Sequence, residues 1–298
     1  MMVLDSTSDA SMRPILYAEN LTKDYGRQRA LSGFGLAVRP GEVVGILGPN
    51  GAGKSTALRS FLGFLKPTAG FAKIAGHDCW SDGVRARRYV SYLPGELRLY
   101  DSMTGRQLVA FLGKLRGETY GATIDALATK LEIDPDRRLT GMSSGMKRKV
   151  ALLTVLLPNV PLMILDEPTN TLDPTMRDEF LEQLLMAKIA GKAVLFSSHV
   201  LQEVEAVCDR VLILRRGELV HEQDMAELRD ARLIRGRLLN LNLSDLPFAV
   251  DDDGRFEYEY RGPAAELLPL LSRFPIEDLR IEPLGLAGIY KHWHGATA

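Results

Sequence analysis

Short runs of consecutive apolar residues recur along the first two-thirds of the chain, separated by stretches with helical spacing. Glu42-Val-Val-Gly-Ile-Leu47, Leu162-Met-Ile-Leu165, Ala193-Val-Leu-Phe196 and Val211-Leu-Ile-Leu214 are such runs. Each is too short for a core helix and reads as a strand buried on both faces, the habit of parallel sheets. A β-branched and aromatic run from Ile15 to Tyr25 predicts a further strand. Lys54 to Leu65 alternates like a helix. From about Arg85 to Leu157 the pattern turns mainly helical and more charged, with helices expected over Gly105–Leu115 and Gly121–Leu131. The expected architecture is α/β: a parallel-sheet core with a helical insertion at about residues 85–157.

Past His221 the pattern changes. A charged helix is expected near Asp224 to Arg232, followed by period-two alternation in Leu239-Asn-Leu-Asn-Leu243 and Phe256-Glu-Tyr-Glu-Tyr260, the mark of half-exposed strands. Helical patterns at Ala264–Phe274 and Leu286–His292 flank a strand-like Asp278–Ile281. The expected organisation is a polar, frayed leader at 1–13, a main domain at 14–220 and a small α+β accessory domain at 221–298. Phe256, Tyr258 and Tyr260 read as one face of that domain's core rather than a ligand platform.

Composition narrows the function classes. The 298 residues carry 37 Lys plus Arg against 38 Asp plus Glu, a net charge of −1, and 46% are hydrophobic. Such a balance points neither to a nucleic-acid partner nor to disorder. Two cysteines, Cys79 and Cys208, exclude a disulfide framework and fit a reducing compartment. The N-terminus lacks the basic start and apolar run of a secretory signal. The most apolar stretch, Val150 to Leu165, is broken by Pro158, Asn159 and Pro161, so no membrane span is expected.

The first chemical signal follows the strand ending at Leu47. Gly48-Pro-Asn50-Gly51-Ala-Gly53-Lys54-Ser55-Thr56 satisfies G-x-x-x-x-G-K-[ST]. Its glycines let backbone N–H groups turn around phosphate oxygens, and the following helix aims its positive end at them. Lys54 is expected to reach the β- and γ-phosphates and the Ser55 hydroxyl to ligate Mg²⁺. At average residue usage the fixed letters recur by chance in roughly one chain of this length in a hundred. The second signal is Asp166-Glu167 at the end of the Leu162–Leu165 strand. Mg²⁺ prefers oxygen ligands, which suits Asp166; Glu167 is placed to orient or deprotonate a water attacking the γ-phosphate.

With these residues in place the chain resembles the nucleotide-binding subunits of ATP-binding cassette transporters over roughly residues 15 to 220. Met142-Ser143-Ser144-Gly145-Met146 stands where that family carries its LSGGQ signature. Glu167-Pro-Thr-Asn-Thr-Leu-Asp173 looks like the stretch joining the catalytic glutamate to the D-loop, and Ser197-Ser198-His199 looks like the segment with the switch histidine. Tyr25 stands where an aromatic stacks on adenine. The resemblance implies an Mg²⁺-dependent ATPase acting as a head-to-tail homodimer, in which Ser143, Ser144 and Gly145 of one copy close on ATP held by the other. It also implies that His199 touches the γ-phosphate or holds Glu167 and water.

Two departures stand out. The family's glutamine after Tyr-Leu-Pro is replaced by Gly95, so either Glu96 substitutes from the next position or water fills the gap. The signature has Ser144 for a glycine and Met146 for its glutamine. The pattern is similar to the drug- and antibiotic-exporting branch, which implies a separately encoded membrane permease, seated at the cytoplasmic face of the cell membrane, whose cytoplasmic helix docks beside Gly95 to Tyr100. The alternatives are a cassette powering a lipid or polysaccharide exporter and an ABC-type ATPase acting outside transport. A guanine-reading Asn-Lys-x-Asp, which a GTPase of this class needs, is not found.

Overall fold

A computed structural model describes residues 13–239 and 246–294, which divide into two compact units meeting near residue 222. In the first unit, β1 (Leu16–Tyr25) and β2 (Gln28–Val38) pair antiparallel. With β4 (Ala69–Ile74) and β5 (His77–Asp78) they form a sheet of order β2-β1-β4-β5. The hydrophobic pattern signals only β1. Gly33 and Gly35 interrupt the alternation in β2, and β4 is largely exposed on one face.

The second sheet has order β10-β9-β3-β8-β7-β6. It comprises β3 (Val43–Leu47), β6 (Val90–Leu93), β7 (Leu162–Asp166), β8 (Ala193–Ser198), β9 (Arg210–Arg215) and β10 (Glu218–Asp224). From β9 through β6 the pairs are parallel. Every residue of β3, β7 and β8 is buried, as their unbroken apolar runs foretell. A fully buried Val, Leu or Ile contributes about 1.5–3 kcal/mol, so these strands anchor the unit. Helix α1 (Lys54–Phe61) packs against β2, β4 and β7, with Phe61 against Phe34 in a core that also takes in Ile46, Leu58 and Ile164. It stops one turn short of the expected Leu65, because Gly63 turns left-handed at φ 68°.

The stretch read as a helical insertion contains a strand. Val90–Leu93 pairs with β7 and extends the main sheet, preceded by the single turn α2 (Gly83–Ala86). Four residues are too few to show a period. Beyond it come α3 (Gly105–Arg116), started by a Thr104–Gln107 capping box, then α4 (Thr123–Lys130) and α5 (Ser144–Leu156). Next come α6 (Pro174–Ile189), before β8, and α7 (Leu201–Val207), before β9.

The second unit is a three-stranded antiparallel sheet of order β12-β11-β13, with β11 (Arg232–Leu238), β12 (Arg255–Tyr260) and β13 (Ile276–Pro283). Its helices are α8 (Met225–Asp230), α9 (Ala264–Leu271) and α10 (Gly285–His294). The charged helix is therefore shorter than expected: Asp224 caps it and Arg232 already begins β11. The strand expected at Leu239–Leu243 falls mostly outside the described residues, and Leu239 itself is exposed beyond the end of β11. Phe256 and Tyr260 join Ile234, Phe248, Leu267 and Leu271 in a core, Phe248 stacking on Phe256 at 4.0 Å.

Candidate functional site

The chemistry-bearing residues gather at the carboxyl ends of β3, β7 and β8, adjacent in one parallel sheet. An open α/β sheet places its ligand crevice at that edge. β3 ends at Leu47, and the chain turns through Gly48–Gly53 into α1. Gly53 sits at φ 107°, and a Cβ there would lie 2.6 Å from the Ala30 carbonyl oxygen; only glycine permits this entry into the helix. The loop, together with Tyr25, Gln28, Arg29, Ala30, Glu167 and Arg216, lines a cavity of about 480 Å³ that holds Asn50, Gly51, Lys54, Ser55 and Thr56 on one wall. The two arginines carry no signal in the sequence. They reach the rim because β2 and the turn after β9 flank the loop, a tertiary fact that no local motif encodes.

Lys54 is buried within this wall. Its Nζ donates to the Gly48 carbonyl at 2.6 Å and to the Pro49 carbonyl at 3.3 Å, and lies 3.7 Å from Glu167 Oε1. Burial pushes its pKa below the usual lysine value, partly offset by the carboxylates of Glu167 and Asp166. Two hydroxyls donate to a single oxygen, Asp166 Oδ1: Ser55 Oγ at 3.2 Å and Ser197 Oγ at 2.7 Å. Ser55 and Asp166 thus bring two hard oxygen donors together. Among the described residues no group of three His, Cys, Asp or Glu could hold a metal. That donor set suits Mg²⁺, which needs few protein ligands when phosphates and water complete its shell.

Glu167 adopts φ 47°, in the left-handed region that a glutamate seldom occupies. Its N–H is held by Ser197, through the hydroxyl at 3.0 Å and the carbonyl at 3.2 Å, and its Oε2 accepts from Asn170 Nδ2 at 2.6 Å. His199 Nδ1 lies 3.7 Å from the same carboxylate, with the imidazole about half exposed. Ser197 and Asn170 are functional neighbours that sequence reasoning missed. Both lie inside the quoted motifs, but hydroxyl and amide side chains are too common in loops to signal a contact.

Tyr25 is about half exposed at the cavity's edge, under the Lys23 ammonium at 5.2 Å from the ring centroid. The remaining expected residues lie outside the cavity. Ser143 caps α5, its Oγ accepting from Met146 N at 3.3 Å; Ser143 and Ser144 are exposed, and Gly145 lies under the Thr171 carbonyl. Asp173 caps α6 by accepting from Met176 N at 3.0 Å. Gly95, rather than Glu96, faces the Asp166 carboxylate: a Cβ at 95 would sit 3.4 Å from Asp166 Oδ2, whereas Glu96 is exposed.

A glycine cradle between strand and helix, with a buried lysine and paired carboxylates at the end of a second strand of the same sheet, defines a phosphate-loop nucleotide triphosphatase. Residues 31–170 match the family model for the ABC transporter. The linearmycin resistance ATP-binding protein LnrL of Bacillus subtilis (strain 168) is 33% identical over 211 residues, 69% of this chain and 68% of that protein. The daunorubicin/doxorubicin resistance ATP-binding protein DrrA of Streptomyces peucetius is 32% identical over 230 residues, 76% of this chain and 69% of that protein. A solved ATP binding subunit of an ABC transporter superposes with a TM-score of 0.68 at 29% identity, covering 72% of this chain and 92% of its own. The chain belongs to the ATP-binding subunits of ABC transporters. It is an ATPase that uses ATP with Mg²⁺ and powers a separate membrane permease, and subunits of this family work as dimers. Among the described residues no helix is long and apolar enough to cross a membrane.

Proposed function

We propose that this subunit hydrolyses ATP at Glu167 in a head-to-tail pair of identical copies and drives export of a drug, antibiotic or other hydrophobic compound through its permease. The observation that carries the reading is the division of the anion-binding elements. Lys54, Ser55 and Glu167 share one cavity, whereas the exposed serines at the start of α5 lie outside it. Ser143, Ser144 and Gly145 are then free to close on the triphosphate held by another copy, adding hydroxyl and N–H donors at a helix N-terminus.

Within each site the roles follow from the contacts. The loop amides from Gly48 to Thr56 and the Lys54 ammonium bind the phosphates, and Tyr25 offers an exposed face to the base. Ser55 and Asp166 would hold Mg²⁺, which supplies charge neutralisation between the phosphates. Glu167, with Asn170 fixing one oxygen, orients the attacking water and takes its proton; His199, at the same carboxylate, is placed to hold it or the γ-phosphate.

The permease side is supported by a groove of about 870 Å³ lined by Phe64, Val84, Arg87, Tyr92, Leu115 and Arg116, among others. It lies between β6 and α3 rather than along Gly95 to Tyr100, and its mixed lining of exposed apolar side chains, Phe64, Val84 and Leu115, with arginines suits an amphipathic helix. Docking there would hold the subunit at the cytoplasmic face of the membrane. The drug and antibiotic class rests on the resistance proteins this chain is similar to. The test is Glu167→Gln: turnover is expected to fall at least a hundredfold while MgATP still binds and draws two copies together on a sizing column. Wild-type hydrolysis by that variant, or a monomer at saturating MgATP, overturns the reading.

A further inference from the structure

Arg148 is the largest fully buried side chain described, 2% exposed, on the second turn of α5. A buried guanidinium normally sits against a carboxylate. Among the described residues this one donates only to main-chain carbonyls: Nη1 to Pro94 at 2.9 Å and to Gly95 at 3.4 Å, and Nη2 to Glu167. Its Nε finds no partner among the described residues. The three acceptors belong to two loops. One follows β6 and points position 95 at Asp166; the other holds Glu167 in its left-handed turn, which Asn170 N also closes onto the Glu167 carbonyl at 3.3 Å. Burial pulls the guanidinium's pKa down, and Asp166 and Glu167 pull it back up. Arginine stays charged across the working range, so its field also falls on both carboxylates.

Simple packing would call for an apolar side chain here, which brings no desolvation cost. A planar cation with donors on both tips does what an apolar group cannot: it ties two separate loops to one rigid helix at fixed spacing. The helix is also the one whose first residues are Ser143 to Gly145. We propose that Arg148 is a positioning residue for ATP hydrolysis, holding the Glu167 main chain and the Gly95 loop so that the Glu167 carboxylate meets the attacking water. This rests on the reading of Glu167 as the residue that orients the water. Any displacement of α5 when its N-terminus closes on a neighbouring copy's nucleotide would pass through this guanidinium to Glu167.

The experiment measures steady-state ATPase of the full-length chain carrying Arg148→Met, Arg148→Lys or Glu167→Gln, and of the Arg148→Met/Glu167→Gln double variant. Loss of the charge-assisted hydrogen bond to the Glu167 carbonyl, together with those to the Gly95 loop, predicts that Arg148→Met lowers kcat about ten- to hundredfold and moves the KM for ATP by less than about threefold. Arg148→Lys, which keeps the charge but spans only one loop, is expected to recover part of kcat. The double variant should be no slower than Glu167→Gln alone and should still dimerise with MgATP, because Arg148 acts through Glu167. Unchanged kcat in Arg148→Met with an inactive Glu167→Gln overturns the role of Arg148 and leaves the reading of Glu167 standing. An active Glu167→Gln removes that reading itself. Should Arg148→Met fail to fold, Arg148→Lys decides: a kcat loss at unchanged KM supports the role, and wild-type kcat, or parallel changes in kcat and KM, discards it.

Discussion

Lys54 Nζ lies 3.7 Å from Glu167 Oε1 while donating to the Gly48 carbonyl at 2.6 Å. One ammonium thus links the loop that grips phosphates to the carboxylate proposed to act on water, and both elements leave the same edge of the sheet. A triphosphate in the loop competes with Glu167 and the carbonyls for this cation.

Lys54→Ala is therefore expected to weaken MgATP binding about ten- to hundredfold, the value of a charge-assisted contact. Isothermal titration calorimetry measures it directly. Burial lowers the Lys54 pKa, and a bound phosphate raises it again. Affinity in the wild type should then fall as pH rises through the free protein's depressed Lys54 pKa, below the range where an ordinary lysine titrates. In Lys54→Ala that alkaline component should vanish; its persistence would assign the titration elsewhere.

Ser197 carries a second prediction. Its hydroxyl accepts from Glu167 N at 3.0 Å and donates to Asp166 Oδ1 at 2.7 Å, ordering both carboxylate residues from the neighbouring strand. Ser197→Ala removes a buried hydrogen-bonding group and should cost about 1–3 kcal/mol of stability, a fall of several degrees in Tm. Turnover should drop about tenfold with a smaller change in KM, because Asp166 and Glu167 lose their common brace while the phosphate loop is untouched. Equal kcat in the two proteins would show that the Ser197 carbonyl alone suffices.

How far the sequence reaches is visible in these residues. β3, β7 and β8 are buried on both faces, so each prints as an unbroken apolar run, and the strict order of Gly48, Gly53, Lys54 and Ser55 follows from backbone geometry around a phosphate. Those features are local, and the chain shows them. Asn170 works through a contact only 3 residues away but with an amide too ordinary in a turn to signal it, whereas Ser197 and Arg148 work through contacts 30 and 19 residues away along the chain. Only the last is an unusual residue for its surroundings, and its burial between charged neighbours Lys147 and Lys149 is invisible without the fold. β2, β6 and β11 were missed because glycines, brevity and paired charges on the outward face, such as Arg235 with Glu257 and Glu282, hide the period of two.

Cys79 offers a check on the core. It is 2% exposed, and burial pushes its thiol up to about 12. An unfolded chain releases that proton near about pH 8.5. Because the folded state keeps the proton longer, stability from this group is intact below that value and is lost as pH climbs toward 12. Iodoacetamide at pH 8 should leave Cys79 unmodified in the native protein and alkylate it in denaturant. Replacing Cys79 with alanine should flatten the decline of Tm above pH 9; an unchanged alkaline slope would place its cause in other groups.

Gly95 allows the metal site to be altered by addition. A Cβ at this position would stand 3.4 Å from Asp166 Oδ2, an ordinary contact, and the residue needs no left-handed backbone. Gly95→Gln should therefore fold, with its side chain on the side of the Asp166 oxygen that neither Ser55 nor Ser197 occupies, where its amide oxygen would share a bound Mg²⁺ with that carboxylate. An extra oxygen donor at a hard-cation site strengthens binding. The Mg²⁺ concentration giving half-maximal ATPase at fixed ATP should fall several-fold in Gly95→Gln and stay level in Gly95→Ala, which adds the Cβ without a ligand. If both variants shift alike, the change comes from stiffening the loop that Arg148 holds, not from the amide; if neither shifts, the wild-type site already completes its shell with water.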